Sequence, residues 1–167
     1  MFAKLIFSIF FLFFSFYHGI SQEMNPEKLK TLINKTADTV KHDGNSIHFI
    51  VKERLLICIY DENANRMRIV SPIVEREKIG EKEILNALVA NFHSALDVKY
   101  ALSDEIIWSV FIHPLKELSE HQVADAILQV YNANVSFGTN YSSTNLVFPG
   151  NLKKKDSLPA KIILKKI

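Results

Sequence analysis

Between positions 47 and 73 the chain carries three β-prone runs with very little between them. The segment 47–51 alternates, 55–60 is a dense run, and 67–73 forms a third. Glu53-Arg54 is all that joins the first to the second, which predicts a tight hairpin, and residues 61–66 form a polar turn before the third. A parallel crossover needs a dozen or more residues, so connections this short dictate antiparallel pairing. Pro72 lacks a backbone donor, which marks the end of its strand as an edge or a bulge.

Helical signals flank these strands. Asn25-Pro26 is a cap followed by a first-turn proline. Leu29, Leu32, Ile33, Thr36 and Val40 then share a stripe that Gly44 ends. A second helix is predicted over 81–96, with Ile84, Leu85, Leu88, Phe92 and Leu96 on its inner face. A second hairpin follows over 98–102 and 106–112. Ser119 with Gln122 forms a capping box for a third helix, whose inner face carries Val123, Ala126, Ile127 and Val130. The expected fold class is α+β: an antiparallel sheet with the order α-βββ-α-ββ-α, preceded by a signal peptide.

That leader is residues 1–21. A basic start at Lys4 precedes an apolar run over 5–16, broken by Ser8 and Ser15, and then come Gly19 and Ser21. This is the layout of a secretory signal with cleavage after Ser21. The run is shorter than the ~20 residues that span a bilayer, although an uncleaved anchor over 5–20 is the rival reading. With no arginine pair, the general export route is expected. Roughly 145 residues remain, enough to bury a core without staples. Residues 22–138 form the domain. The stretch 139–167, with Lys153-Lys154-Lys155 and two short apolar patches, reads as a flexible or loosely docked basic tail.

Register assigns the faces of the sheet. With a turn at Glu53-Arg54, Ile47, Phe49, Val51, Leu56, Cys58 and Tyr60 share an apolar core face. The other face then holds His48, Ile50, Lys52, Leu55, Ile57 and Ile59. In the second hairpin an odd loop, Ser103-Asp104-Glu105, directs Val98, Tyr100, Leu102, Ile106, Trp108, Val110 and Ile112 to the core. It leaves Ile107, Ser109 and Phe111 opposite. The half-apolar second face, with Ile50, Leu55, Ile57, Ile59, Ile107 and Phe111, is the candidate peptide-binding or dimer surface. The bland reading is that a helix covers it.

Signs of catalysis are sparse. The one cysteine, Cys58, lies between isoleucines in a strand and reads as a buried, inert thiol. His42, His48, His93, His113 and His121 are scattered without metal-ligand spacing, although His113 and His121 flank one turn. Phosphate loops and nucleophile elbows are missing, and Asp61-Glu62-Asn63 lacks the rest of a calcium loop. No cofactor and no metal are expected. Twenty basic against 18 acidic residues argue against a nucleic-acid partner. Asn34-Lys35-Thr36, Asn134-Val135-Ser136 and Asn140-Tyr141-Ser142 match the glycosylation triplet.

The segments Arg68-Ile69-Val70-Ser71-Pro72-Ile73, Tyr100-Ala101-Leu102-Ser103-Asp104 and His113-Pro114-Leu115-Lys116-Glu117-Leu118-Ser119, in that order, resemble the YbjN-like and type III secretion chaperone-like superfamily over about residues 25–137. That resemblance implies a small α+β domain that often dimerises and binds extended peptide without catalysis. It supplies no catalytic residue. This chain departs from secretion chaperones in carrying an export signal and a weakly basic balance. The expectation is an exported, periplasmic or secreted, non-enzymatic chaperone-like module. Its partner is a protein or peptide or a second copy, with no membrane association after signal cleavage. A small enzyme with a Cys/His centre and a structural subunit of an envelope complex are the rivals.

Overall fold

A computed structural model describes residues 23–144; the leader and residues 145–167 lie outside the described residues. Helix α1 (Pro26–Thr36) starts where the sequence places it, with the Asn25 side chain accepting the Lys28 N–H at 3.0 Å. Leu29 and Ile33 are its buried stripe. It ends earlier than expected. Asp38 turns away to accept the Lys52 N–H at 2.8 Å, and the β-branched pair Thr39-Val40 opens an additional strand, β1 (Thr39–Asp43). Gly44, at φ +54°, supplies the left-handed residue of a two-residue turn into β2 (Ser46–Val51).

Strands β3 (Arg54–Asp61) and β4 (Arg66–Glu75) continue the meander. A 3-10 turn, Arg76–Lys78, leads to α2 (Glu81–His93). The hairpin β5 (Lys99–Ser103) and β6 (Ile106–His113) follows, then α3 (Glu120–Ser136). The six strands form one antiparallel sheet in the order β1-β2-β3-β4-β6-β5. The α+β class and the segregated strand runs are as expected, with β1 added at one edge.

The β2–β3 turn is Lys52-Glu53, one residue earlier than the sequence suggests, with both residues at positive φ. Phe49 consequently faces Leu56 instead of Cys58. The slip displaces each partner by two positions, so every side chain keeps its face. Ile47, Phe49, Val51, Leu56, Cys58 and Tyr60 are all buried.

The β5–β6 hairpin corrects its expected register. Its turn is the two-residue Asp104-Glu105, again at positive φ, and Tyr100 pairs with Ser109. An even loop exchanges the faces. Ile107, Ser109 and Phe111 go to the core, while Trp108, Val110 and Ile112 turn to the other side. The buried polar groups on the core face are satisfied from α3: Ser109 donates to the Val130 carbonyl at 3.0 Å and Tyr100 to the Ala133 carbonyl at 3.0 Å. Pro72 sits at the register break of β4 between Pro72 and Val74, the bulge that the proline signals. Asn134 of α3 donates to the Ser71 hydroxyl at 2.7 Å and to the Pro72 carbonyl at 2.8 Å, holding that irregular point.

Helix α3 has the expected capping box, with the Ser119 N–H donating to Gln122 at 2.8 Å and the Gln122 N–H donating back at 3.2 Å. Val123, Ala126, Ile127 and Val130 are buried as anticipated. The helix crosses β3, β4 and β6, while α1 packs on α3, β1 and β2. Helix α2 departs from expectation. Ala87 and Ala90 face the core, and Leu85, Leu88 and Phe92 of the expected inner stripe face outward. Alanines let the helix approach β5 closely. There Asn91 accepts the Tyr100 N–H at 2.7 Å and donates to the Tyr100 carbonyl at 3.1 Å. Those two bonds cap the β5 edge.

Packing continues past Gly138. Tyr141 is buried, its ring 5.2 Å from Phe137 and 5.9 Å from Tyr100. Ser143 is also buried, and its N–H donates to the Ser94 carbonyl at 3.2 Å. Residues 139–144, expected in the tail, belong to the folded body.

Candidate functional site

The three helices gather on one face of the sheet, and among the described residues no helix covers the other. Alternation shows this directly: in β2 and β6 each buried residue is followed by one that is not. Register lays the open face out in rows. Ile59, Arg68 and Ile112 lie side by side across β3, β4 and β6, and the next row runs His48, Ile57, Val70, Val110 and Lys99. Pro72, Trp108 and Ala101 continue the apolar band towards β5.

Of the six residues singled out from the sequence, Ile50, Leu55, Ile57 and Ile59 occupy this open face. Leu55 is 37% and Ile59 42% exposed. Ile107 and Phe111 do not. Each is 6% exposed on the core face, because the even turn reverses their hairpin. Their places are taken by Trp108, Val110 and Ile112, and Ile112 is 62% exposed. The Trp108 indole N–H donates to the Ser103 carbonyl at 3.1 Å, which fixes the ring on the sheet surface. The sequence signal for Trp108 was present but misdirected, since an aromatic alternating with aliphatics fits either face of a hairpin.

The strand edges differ. Asn91 occupies the outer edge of β5, whereas β1 ends the sheet, with no strand beyond it among the described residues. Such an edge accepts an added strand, and Lys41 and His42 are polar guards along it.

The catalytic candidates disperse. Cys58 is fully buried on the core face, and burial alone pushes its thiol up to about 12. At that value it is neither a nucleophile nor a ready metal ligand. His48 pairs opposite Ile57 on the open face, on the other side of the sheet from Cys58. His113 stacks on Phe111 with ring centroids 5.9 Å apart, and its Nδ1 lies 2.8 Å from the Pro114 carbonyl oxygen. Among the described residues no group of three His, Cys, Asp or Glu side chains is placed to hold a metal ion.

A cleft of about 470 Å³ opens between β5, β6 and α3, lined by Asp97, Lys99, Phe111, His113, Asp125 and Gln129, among others. Its carboxylates are already engaged. The Gln129 amide donates to Asp125 at 2.7 Å and to Asp97 at 3.2 Å. Asn134 of one glycosylation triplet is buried and hydrogen-bonded to β4, so in the folded domain it offers no glycan attachment point. No helix among the described residues is long and apolar enough to cross a membrane.

Neither a protein-family model nor a curated protein sequence matches the chain. Among solved structures, it is similar to a chain of the HopA1–SchA chaperone–effector complex. The TM-score is 0.52 at 13% identity, covering 68% of this chain and 96% of that one. At that identity the likeness is one of fold: this chain shares its α+β architecture with a chain of a chaperone–effector complex.

Proposed function

We propose that this chain is a non-enzymatic, chaperone-like module that holds an extended apolar segment of a partner protein on the open face of its sheet. The observation that carries the reading is the uncovered apolar band from Ile50 and Leu55 across Ile57 and Val70 to Trp108 and Ile112, in a domain whose helices are all engaged on the other side. The partner segment lies across the open face and sets its apolar side chains against the rows of β3, β4 and β6. The fold shared with a chain of a chaperone–effector complex supports a protein partner, and the burial of Cys58 under the helices weighs against a centre built on that thiol. The secretory signal expected at residues 1–21 supports a periplasmic or secreted setting for this role.

Site-specific photo-crosslinking tests this. A photoreactive phenylalanine analogue at Ile57 or Ile112 should form adducts with a partner protein in the envelope fraction. The same group at exposed Lys35 on α1 should not. Adducts from Lys35 alone would overturn the assignment of the face. Adducts joining only two copies of this chain would make the open face a dimer surface instead.

A further inference from the structure

The open face carries charge as well as apolar surface, and register shows where each charge stands. Most of its ionic groups lie towards the rim and are engaged there. Arg66 lies opposite Asp61 and donates to the Asn65 carbonyl at 3.0 Å, while Asp61 accepts the Ala64 N–H at 2.9 Å. Glu75 pairs with Lys78 at 2.8 Å, and the Lys99 ammonium donates to the Leu96 carbonyl. Lys41 and Asp43 belong to the edge strand β1.

Arg68 differs in place and in partners. It is exposed in the middle of the sheet, between Ile59 on β3 and Ile112 on β6, which are 42% and 62% exposed. Among the described residues no hydrogen bond or ion pair engages its guanidinium. Asp43, in the same row, is three strands away, about 14 Å at the usual strand spacing. An occupant that covers the two isoleucines also covers Arg68 and strips water from it. A wholly apolar occupant would bury that charge unpaired, which is costly. A carboxylate removes the cost, because it accepts two parallel N–H bonds from the planar guanidinium.

We propose that Arg68 selects the partner: the segment held on the open face is apolar with an acidic side chain at its centre, and that carboxylate seats on Arg68. In an extended segment the residues two before and two after the acidic one point to the same side. Apolar side chains at those positions reach Ile59 and Ile112. The inference rests on the open-face reading and adds the chemistry of its occupant.

Binding of the full chain to an array of short immobilised peptides tests it. The peptides alternate valine and serine, with glutamate, glutamine or lysine at the central valine position. Wild type should bind the glutamate peptide roughly ten-fold more strongly than the glutamine one. Arg68→Gln should level the two, and Arg68→Glu should transfer the preference to the lysine peptide. Arg68 is exposed, so these changes leave the core intact. The variant combining Ile59→Asp with Ile112→Asp should lose binding to all three peptides. Equal binding of the three by wild type, lost in that double variant, would overturn the role of Arg68 and leave the open face standing. A glutamate preference that survives Arg68→Gln would do the same. Absence of binding by wild type, or binding that the double variant retains, would overturn both.

Discussion

Two aromatic side chains show how similar residues in the same alternating pattern reach opposite fates. Phe49 is 1% exposed under the helices, while Trp108 rests on the open face with its indole N–H tied to its own hairpin. Phe49→Ala should cost roughly 3–5 kcal/mol, the range for deleting a packed aromatic. Trp108→Ala should cost less than about 2 kcal/mol, because part of its surface is wet in the wild type. Denaturant midpoints at unchanged m-value measure both, and equal losses would place Trp108 in the core. Cys58 gives a sharper residue-scale test. A thiol pushed up to about 12 by burial should resist iodoacetamide in the native protein and react fully once unfolded. Rapid native labelling would contradict its placement. Asn134 is a third case. Asn134→Leu removes both donors that hold the Ser71 hydroxyl and the Pro72 carbonyl, and should cost about 1–3 kcal/mol. A neutral effect would mean that the β4 bulge needs no support from α3.

The elements differ in how far the sequence discloses them. The capping box at Ser119, the cap at Asn25 and the bulge at Pro72 are local devices, and each is found where its residues announce it. The turns are less legible. Lys52-Glu53 and Asp104-Glu105 adopt left-handed conformations that normally favour Gly or Asn, so neither advertises its type. In the first hairpin the misplaced turn moved partners by two and left the faces intact. In the second an odd loop was expected where an even one forms, and that reversed Ile107 and Phe111. Helix α2 was misread for another reason: periodicity identifies the most apolar stripe, but close packing against β5 selects the smallest one, Ala87 and Ala90. The turn argument carries its own prediction. Replacing Asp104-Glu105 by Asn-Gly should raise stability by roughly 1 kcal/mol through relief of left-handed strain, read as a rise in the thermal midpoint. A fall would show that these side chains make compensating contacts.

At the scale of the molecule, the decisive feature is asymmetry between the two sides of one sheet. Three helices bury the side that carries Phe49, Ile69 and Phe111, and among the described residues none covers the side that carries Ile57, Val70 and Val110. The apolar character of the second side was legible in β2 and β3, but whether a helix would close over it was not, because that depends on where all three helices dock. The most direct measurement uses the row Ile59–Arg68–Ile112. Both isoleucines are exposed, so Ile59→Asp with Ile112→Asp should leave the fold within about 1 kcal/mol of wild type. Capture of partner protein from the envelope fraction should then be measured on the wild type and this double variant at matched folded concentration. The open-face assignment predicts loss of most captured partner by a variant that melts like the wild type; undiminished capture by the same folded variant would contradict it.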